Sequence, residues 1–177
     1  MTHDTIPQAA SARLPGKDRV IVGLILFFTA VALTLELYWL IFNQVMESRS
    51  DPFARLIAVY WPADYTFRVP GYALEKSFTL SFEGVNVLLT PILSVLLIRA
   101  ILMRKRYRYP LQLVIATYTF YGTYLYFSVG HISGYAMFEY KSAYTYLLFY
   151  VVNAPWFIGY AWIGWDAYRA LVRGDRV

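Results

Sequence analysis

The run from Phe78 to Ile98, FTLSFEGVNVLLTPILSVLLI, is apolar almost throughout and carries a single carboxylate, Glu83. A helix crosses the hydrocarbon core of a bilayer in about 20 residues, at about 1.5 Å of rise each. This run is therefore long enough to span a membrane. A carboxylate inside such a helix costs about 2.5–3.5 kcal/mol on insertion scales, which makes an intramembrane Glu a functional residue by default. Thr79, Glu83, Asn86 and Thr90 follow at offsets of four, three and four, so they share one helix face. In lipid such a stripe must look into protein or into a cavity. A polar seam between helices would account for Thr79 and Thr90; Glu83 and Asn86 point to a functional cavity.

Similar stretches recur along the chain. Spans are expected at about Val20–Asn43, Ala73–Met103, Pro110–Gly130 and Ala143–Tyr168. The first holds Glu36, on one face with Thr29 and Asn43 at seven-residue spacing. In the second, Pro91 leaves a backbone carbonyl without its donor and is expected to kink the helix near Glu83. In the third, Thr117, Tyr121, Tyr124 and Ser128 form a polar-tipped stripe, and Gly122 permits close packing. The fourth centres on Asn153, Pro155 and Trp156. Between the first two spans, Pro52, Pro62 and Pro70 argue for a structured loop with a short helix near Phe53–Tyr60. There Trp61, Tyr65 and Phe67 fold over the bundle as a lid or sit at the membrane interface. Residues 1–18 read as a flexible cytoplasmic tail rather than a signal peptide, 19–169 as one membrane domain, and 170–177 as a short charged cytoplasmic tail.

At 59% hydrophobic and 19% aromatic, the chain is too apolar for an ordinary soluble domain. The expected fold class is an all-α integral membrane protein, a four-transmembrane-helix bundle with an intramembrane ligand cavity. Basic residues cluster beside the spans: Arg13, Lys17 and Arg19 before the first, Arg99, Arg104, Lys105, Arg106 and Arg108 between the second and third, and Arg169, Arg173 and Arg176 at the end. Only Lys141 lies between the third and fourth. The positive-inside rule then puts both termini in the cytoplasm. Topology explains the net charge of +5 better than a nucleic-acid partner does, and none is expected. With no Cys and only His3 and His131, no cofactor and no metal is expected either.

That topology places Glu36, Glu83, Thr123, Tyr124, Asn153 and Trp156 at similar depth. Two carboxylates in a dry site do not both ionise, which leaves an acid beside a base. The rings of Trp156 and nearby tyrosines attract a cation within about 6 Å of their centroids. Such a site could protonate an alkene of a lipid substrate, hold the carbocation and remove a different proton. The same parts would also capture a hydrophobic amine, with a glutamate as counter-ion. Taken singly, Trp156 reads as ordinary packing and Asn153 equally well as an interhelical hydrogen bond. The residues alone leave enzyme and binder open.

The stretches KSFTLSFEGVN with Glu83, YPLQLVIATYTFYGTYLYF with Gln112, Tyr121 and Gly122, and LLFYVVNAPWFIGYAWIGWDAYR with Asn153 and Trp156 resemble the emopamil-binding protein family, the EXPERA domain. That family includes sterol Δ8–Δ7 isomerase and the sigma-2 receptor. LTLELYW puts Glu36 where the family has an acidic residue, and His131 falls where the isomerases carry a loop histidine. The resemblance covers roughly Val31–Arg169. It implies Glu36 and Glu83 as the acid–base residues, Asn153 as the group orienting one of them, and Trp156 as the stabiliser of the carbocation. Asn86, Phe120, Tyr121, Thr123, Tyr124 and Tyr150 are expected around the substrate. The chain departs from the isomerases at Ala32, where they have His, at Thr123, where they have Asp, and at Thr119, where they have Gln. It also has four expected spans, like the sigma-2 receptor, where the isomerase has five. These differences bear on Δ8-sterol specificity and leave the acid–base pair in place. The expected function is isomerisation or cyclisation of a sterol-like or terpenoid lipid; the alternative is a non-catalytic sterol- or amine-binding membrane protein. Partners are then the hydrophobic substrate and membrane lipid, and a second copy of the chain could pair as a homodimer.

Overall fold

Three segments have the length and apolarity to cross a membrane: Gly16–Phe42, Lys76–Leu102 and Ala143–Arg173. They belong to a computed structural model that describes residues 14–71 and 74–174. The first segment comprises α1 (Gly16–Val31), a π-helical turn (Ala32–Glu36) and α2 (Leu37–Phe42). Then come α3 (Pro52–Ala58), α4 (Leu74–Leu102), α5 (Arg108–Ile132) and α6 (Ala143–Arg173), with no strand among the described residues. Of the expected tails, 1–18 and 170–177, residues 1–13 and 175–177 lie outside the described residues, as does Ala73 at the expected start of the second span, whereas 16–18 and 170–173 belong to α1 and α6.

Local chemistry sets the helix ends. α1 starts at Gly16, ahead of the expected Val20, and carries Asp18 in its first turn, where a negative charge meets the positive end of the helix dipole. The Asp51 side chain caps α3 by accepting from the Ala54 N–H, and Pro52 follows at the first helical position. Ser142 caps α6 by accepting from the Thr145 N–H at 3.2 Å. α6 ends at Gly174, whose φ of 65° is the left-handed conformation that closes a helix. α4 runs unbroken through Pro91.

α5 is 25 residues long and packs along both α4 and α6. Its Thr, Tyr and Gln content makes it less apolar than the other long helices. Gly122 is needed here: a Cβ would stand 2.7 Å from a ring carbon of Phe82 on α4. Gly159 does the same between α6 and α1, where a Cβ would stand 2.8 Å from Phe28.

The half of the bundle nearest the two termini is solid. Ile21, Ile25 and Phe28 of α1 pack with Leu97 and Ile101 of α4, Ile115 and Ala116 of α5, and Tyr160 and Ile163 of α6. Its end is closed by Arg108, which grips Asp18 through two bonds of 2.9 and 2.5 Å. Both side chains are buried. Arg108, read from sequence as one of the basic residues that set topology, is an internal strut. Lys17 pairs with Asp166 at 3.0 Å beside it.

The other half is capped by the segment between α2 and α4. Trp39 Nε1 donates to the Phe67 carbonyl at 3.0 Å. Lys76 Nζ donates to the carbonyls of Asn43, at 2.8 Å, and of Val69. These bonds hold the segment down on the bundle.

Candidate active site

Glu36 ends the π-helical turn. There the Leu37 N–H reaches back five residues to the Ala32 carbonyl instead of the usual four. Such a turn inserts one residue into the helix and re-aims the side chains beyond it; π-bulges recur at functional sites for this reason. The polar stripe of α4 is buried as its spacing predicts: Thr79, Glu83, Asn86, Thr90 and also Ser94 all lie inside.

The turn and the stripe meet at a cavity of about 260 Å³. Glu36 and Trp39 come from the first span, Glu83 and Asn86 from α4, Thr123 and Tyr126 from α5, and Asn153 and Trp156 from α6. Ile57 of α3, with Tyr60 and Phe67 of the capping segment, closes one side. No Lys, Arg or His is among the lining residues.

Glu36 and Glu83 interact directly through their side chains, and the Asn86 amide adjoins Glu83. A hydrogen bond between two carboxyl groups requires a proton between them, because carboxylate oxygens only accept. Glu36 Oε2 and Glu83 Oε2 are buried with no hydrogen-bond partner. The Asn153 amide nitrogen, on the residue that the resemblance implied would orient a glutamate, bonds elsewhere: Nδ2 donates to Tyr60 Oη at 2.8 Å and to the Phe149 carbonyl at 2.7 Å. Asn86 is the amide that adjoins Glu83. Trp156 packs against Phe28 with ring centroids 5.2 Å apart and also lines the cavity.

A second polar centre lies behind Tyr60 and Tyr126. Asp64, fully buried, accepts from Tyr126 Oη at 2.6 Å, and Tyr126 Oη lies 3.1 Å from Tyr60 Oη. Its other oxygen accepts from the Thr66 N–H at 2.9 Å and Thr66 Oγ1 at 2.5 Å. Burial pushes the Asp64 carboxyl up to about 6, against the pull of these hydrogen bonds. Sequence reading passes over Asp64 because it lies in a loop, outside the polar stripes of the spans. The signal is local: an Asp two residues before Thr in an aromatic, proline-bounded loop, the pattern of a side chain bonding its own backbone.

Of the residues expected around the substrate, Asn86 and Thr123 line the cavity, whereas Phe120, Tyr121, Tyr124 and Tyr150 do not. Tyr121 and Tyr124 are more than half exposed. Phe120 stacks on Phe157 at 4.4 Å. Tyr150 bonds to Tyr135 and to His131, itself exposed, at 2.8 and 3.0 Å. The expected stripe Thr117, Tyr121, Tyr124 and Ser128 is thus not the inward face of α5. That face is Gln112, Thr119, Thr123 and Tyr126, which has the same periodicity at a different phase. Of the three loop aromatics expected as a lid, Phe67 lines the cavity, while Trp61 and Tyr65 pack into flanking clusters. Among the described residues, no three of His, Asp and Glu converge as metal ligands.

Residues 50–167, two thirds of the chain, match the model of the EXPERA (expanded EBP) superfamily. The chain belongs to this superfamily. The match includes Asp64, Glu83, Asn153 and Trp156; Glu36 and its π-helical turn lie ahead of it. Among curated proteins, the chain is 32% identical over 100 residues to a protoglabretal synthase of Ailanthus altissima. That stretch is 56% of this chain and 43% of the relative, so the chain covers less than half of the relative's length. Family and helices together make this EXPERA protein a multi-pass membrane protein.

Proposed function

We propose that this EXPERA protein is a membrane-embedded isomerase or cyclase of a sterol-like or terpenoid lipid. The observation that carries the proposal is the pair of interacting carboxyls, Glu36 and Glu83, on the wall of an otherwise largely apolar cavity. The name of the Ailanthus relative, a protoglabretal synthase, supports a lipid-converting activity. The bundle is read as four membrane spans, α5 being the fourth, with both termini cytoplasmic.

The pair holds one proton. One glutamic acid gives its proton to an alkene carbon, and the π electrons form the new C–H bond. The resulting carbocation faces Trp156, whose ring stabilises positive charge. The other glutamate, ionised, then takes a proton from a neighbouring carbon, and that C–H pair becomes the shifted double bond or closes a ring. The substrate gains one proton and loses one. The contact between the carboxyls lets the proton return to the donor. With the substrate unreactive, the partnerless Oε2 atoms of both glutamates would instead serve as counter-ions for a lipophilic ammonium, the binding reading.

Purified protein incubated in D2O with a panel of sterol and terpenoid alkenes separates the two. A new isomer carrying solvent deuterium is expected. A panel bound tightly but left unlabelled and unchanged would favour the binder.

A further inference from the structure

Asp64 touches neither carboxyl of the pair and takes no part in the proton transfer. It is nonetheless where two chains of hydroxyls end. Thr79 Oγ1 lies 2.9 Å from Thr66 Oγ1, and Thr66 Oγ1 donates to Asp64 Oδ1. Tyr60 Oη lies 3.1 Å from Tyr126 Oη, and Tyr126 Oη donates to Asp64 Oδ2. A hydroxyl has one proton to give. Because Tyr126 spends its proton on the carboxylate, it must accept from Tyr60. Tyr60 must then accept in turn, and Asn153 Nδ2 is the donor that meets it at 2.8 Å. The second Nδ2 proton goes to the Phe149 carbonyl at 2.7 Å, an acceptor under any conditions. Both amide protons are therefore committed to protein acceptors and not to a molecule in the cavity that Asn153 lines. The carbonyl oxygen is the amide's remaining group.

We infer that Asp64 is a positioning residue: through Tyr126 and Tyr60 it fixes the Asn153 amide so that its carbonyl oxygen is presented to the substrate. The cavity wall at this point accepts hydrogen bonds and offers the negative end of a dipole. It suits a substrate hydroxyl or a developing positive charge, and it disfavours an acceptor such as a ketone. This specificity rests on the proposed lipid-converting function; the hydrogen-bond polarity does not.

The polarity makes Asp64→Asn more than a loss of charge. The Thr66 N–H and Oγ1 hold the Oδ1 position as an acceptor, so the new amide must turn its NH2 towards Tyr126. Tyr126 then accepts from it and donates to Tyr60, Tyr60 donates to Asn153, and the chain runs backwards. Tyr126→Phe breaks the chain without reversing it.

The chain contains Asn43, Asn86 and Asn153 and no other asparagine. Selective 15N-asparagine labelling of the full chain in detergent, at about pH 7.5, where Asp64 is ionised, therefore gives three side-chain NH2 signals, assigned by Asn153→Ala. The Asn153 signal is expected to lose about tenfold in solvent-exchange protection, roughly the worth of one hydrogen bond, in both Asp64→Asn and Tyr126→Phe. Asp64→Glu, which restores the carboxylate, is expected to recover it. The Asn43 and Asn86 signals report whether each variant is folded. An unchanged Asn153 signal in folded Tyr126→Phe or folded Asp64→Asn would overturn the inference. Tyr126→Phe, which removes one hydroxyl, carries the test if Asp64→Asn does not fold. No substrate is present, so this result stands or falls separately from the deuterium experiment.

Discussion

The two halves of the bundle are built from the same helices and solve opposite problems. Near the termini, α1, α4, α5 and α6 interdigitate through Ile25, Phe28, Leu97, Ile115 and Ile163, and the buried charge pair Asp18 and Arg108 is matched in sign and geometry. Towards the capping segment, the same helices present Glu36, Glu83, Asn86, Thr123 and Asn153 to a cavity with two carboxyl groups and no basic side chain in its lining. The switch falls near Phe28 and Trp156, whose rings pack together at the floor of the cavity. One half is organised for stability. The other holds polar groups in positions that stability alone would not select, and it needs a capping segment to shield them. Substitutions on either side of this boundary should therefore separate turnover from folding.

Glu83→Gln is expected to have the largest effect. The amide keeps shape and hydrogen bonding but cannot exchange a proton, so turnover should fall by about 10²–10⁴-fold with the melting temperature in detergent little changed. Glu36→Gln should match it, and the double variant should cost little more, because the pair acts as a unit. Arg108→Ala should show the reverse pattern. It leaves Asp18 buried and unpaired at a cost of about 3–5 kcal/mol in stability, read as a lower melting temperature, with turnover per folded molecule retained.

Asp64 gives a pH signature. Its folded-state carboxyl is pushed by burial to about 6, from an ordinary value of 3.8, so the folded state binds the proton more tightly than the unfolded one. Its contribution to stability should therefore rise as pH falls from about 7 towards about 4, within a limit of about 3 kcal/mol. Asp64→Asn should flatten that part of the melting-temperature profile. The smallest effect is expected at Trp156. Phe should lower turnover only a few-fold and Ala by roughly tenfold or more, on a cation–π interaction worth about 1–2 kcal/mol.

The helical spans, the inward stripe of α4 and the juxtaposition of Glu36, Glu83, Asn153 and Trp156 are legible in the sequence. Each depends on an apolar background against which a polar residue stands out. α5 is misread because it is polar-tipped nearly all round. With tyrosines on both faces, the stripe through Tyr121 and Tyr124 looks as good as the one through Thr119, Thr123 and Tyr126, and only packing against α4 and α6 selects the phase. The π-helical turn at Glu36 is invisible, since an arithmetic of 3.6 residues per turn assumes that no residue is inserted. Asn86 and Asn153 both stand out as polar intruders, but which of them adjoins Glu83 depends on helix rotation. Asp64 lies in a loop, where periodicity says nothing.

The central claim is that Glu36 and Glu83 share a proton. Infrared difference spectroscopy of the carboxylic-acid C=O stretch, at about pH 7.5 with Asp64 ionised, tests it directly on wild-type protein against Glu36→Gln and Glu83→Gln, with Asp64→Asn as the control. The account predicts one carboxylic-acid band in the wild type that shifts or vanishes in either glutamine variant and persists in Asp64→Asn. Absence of any carboxylic-acid band sensitive to Glu36 and Glu83 would contradict it.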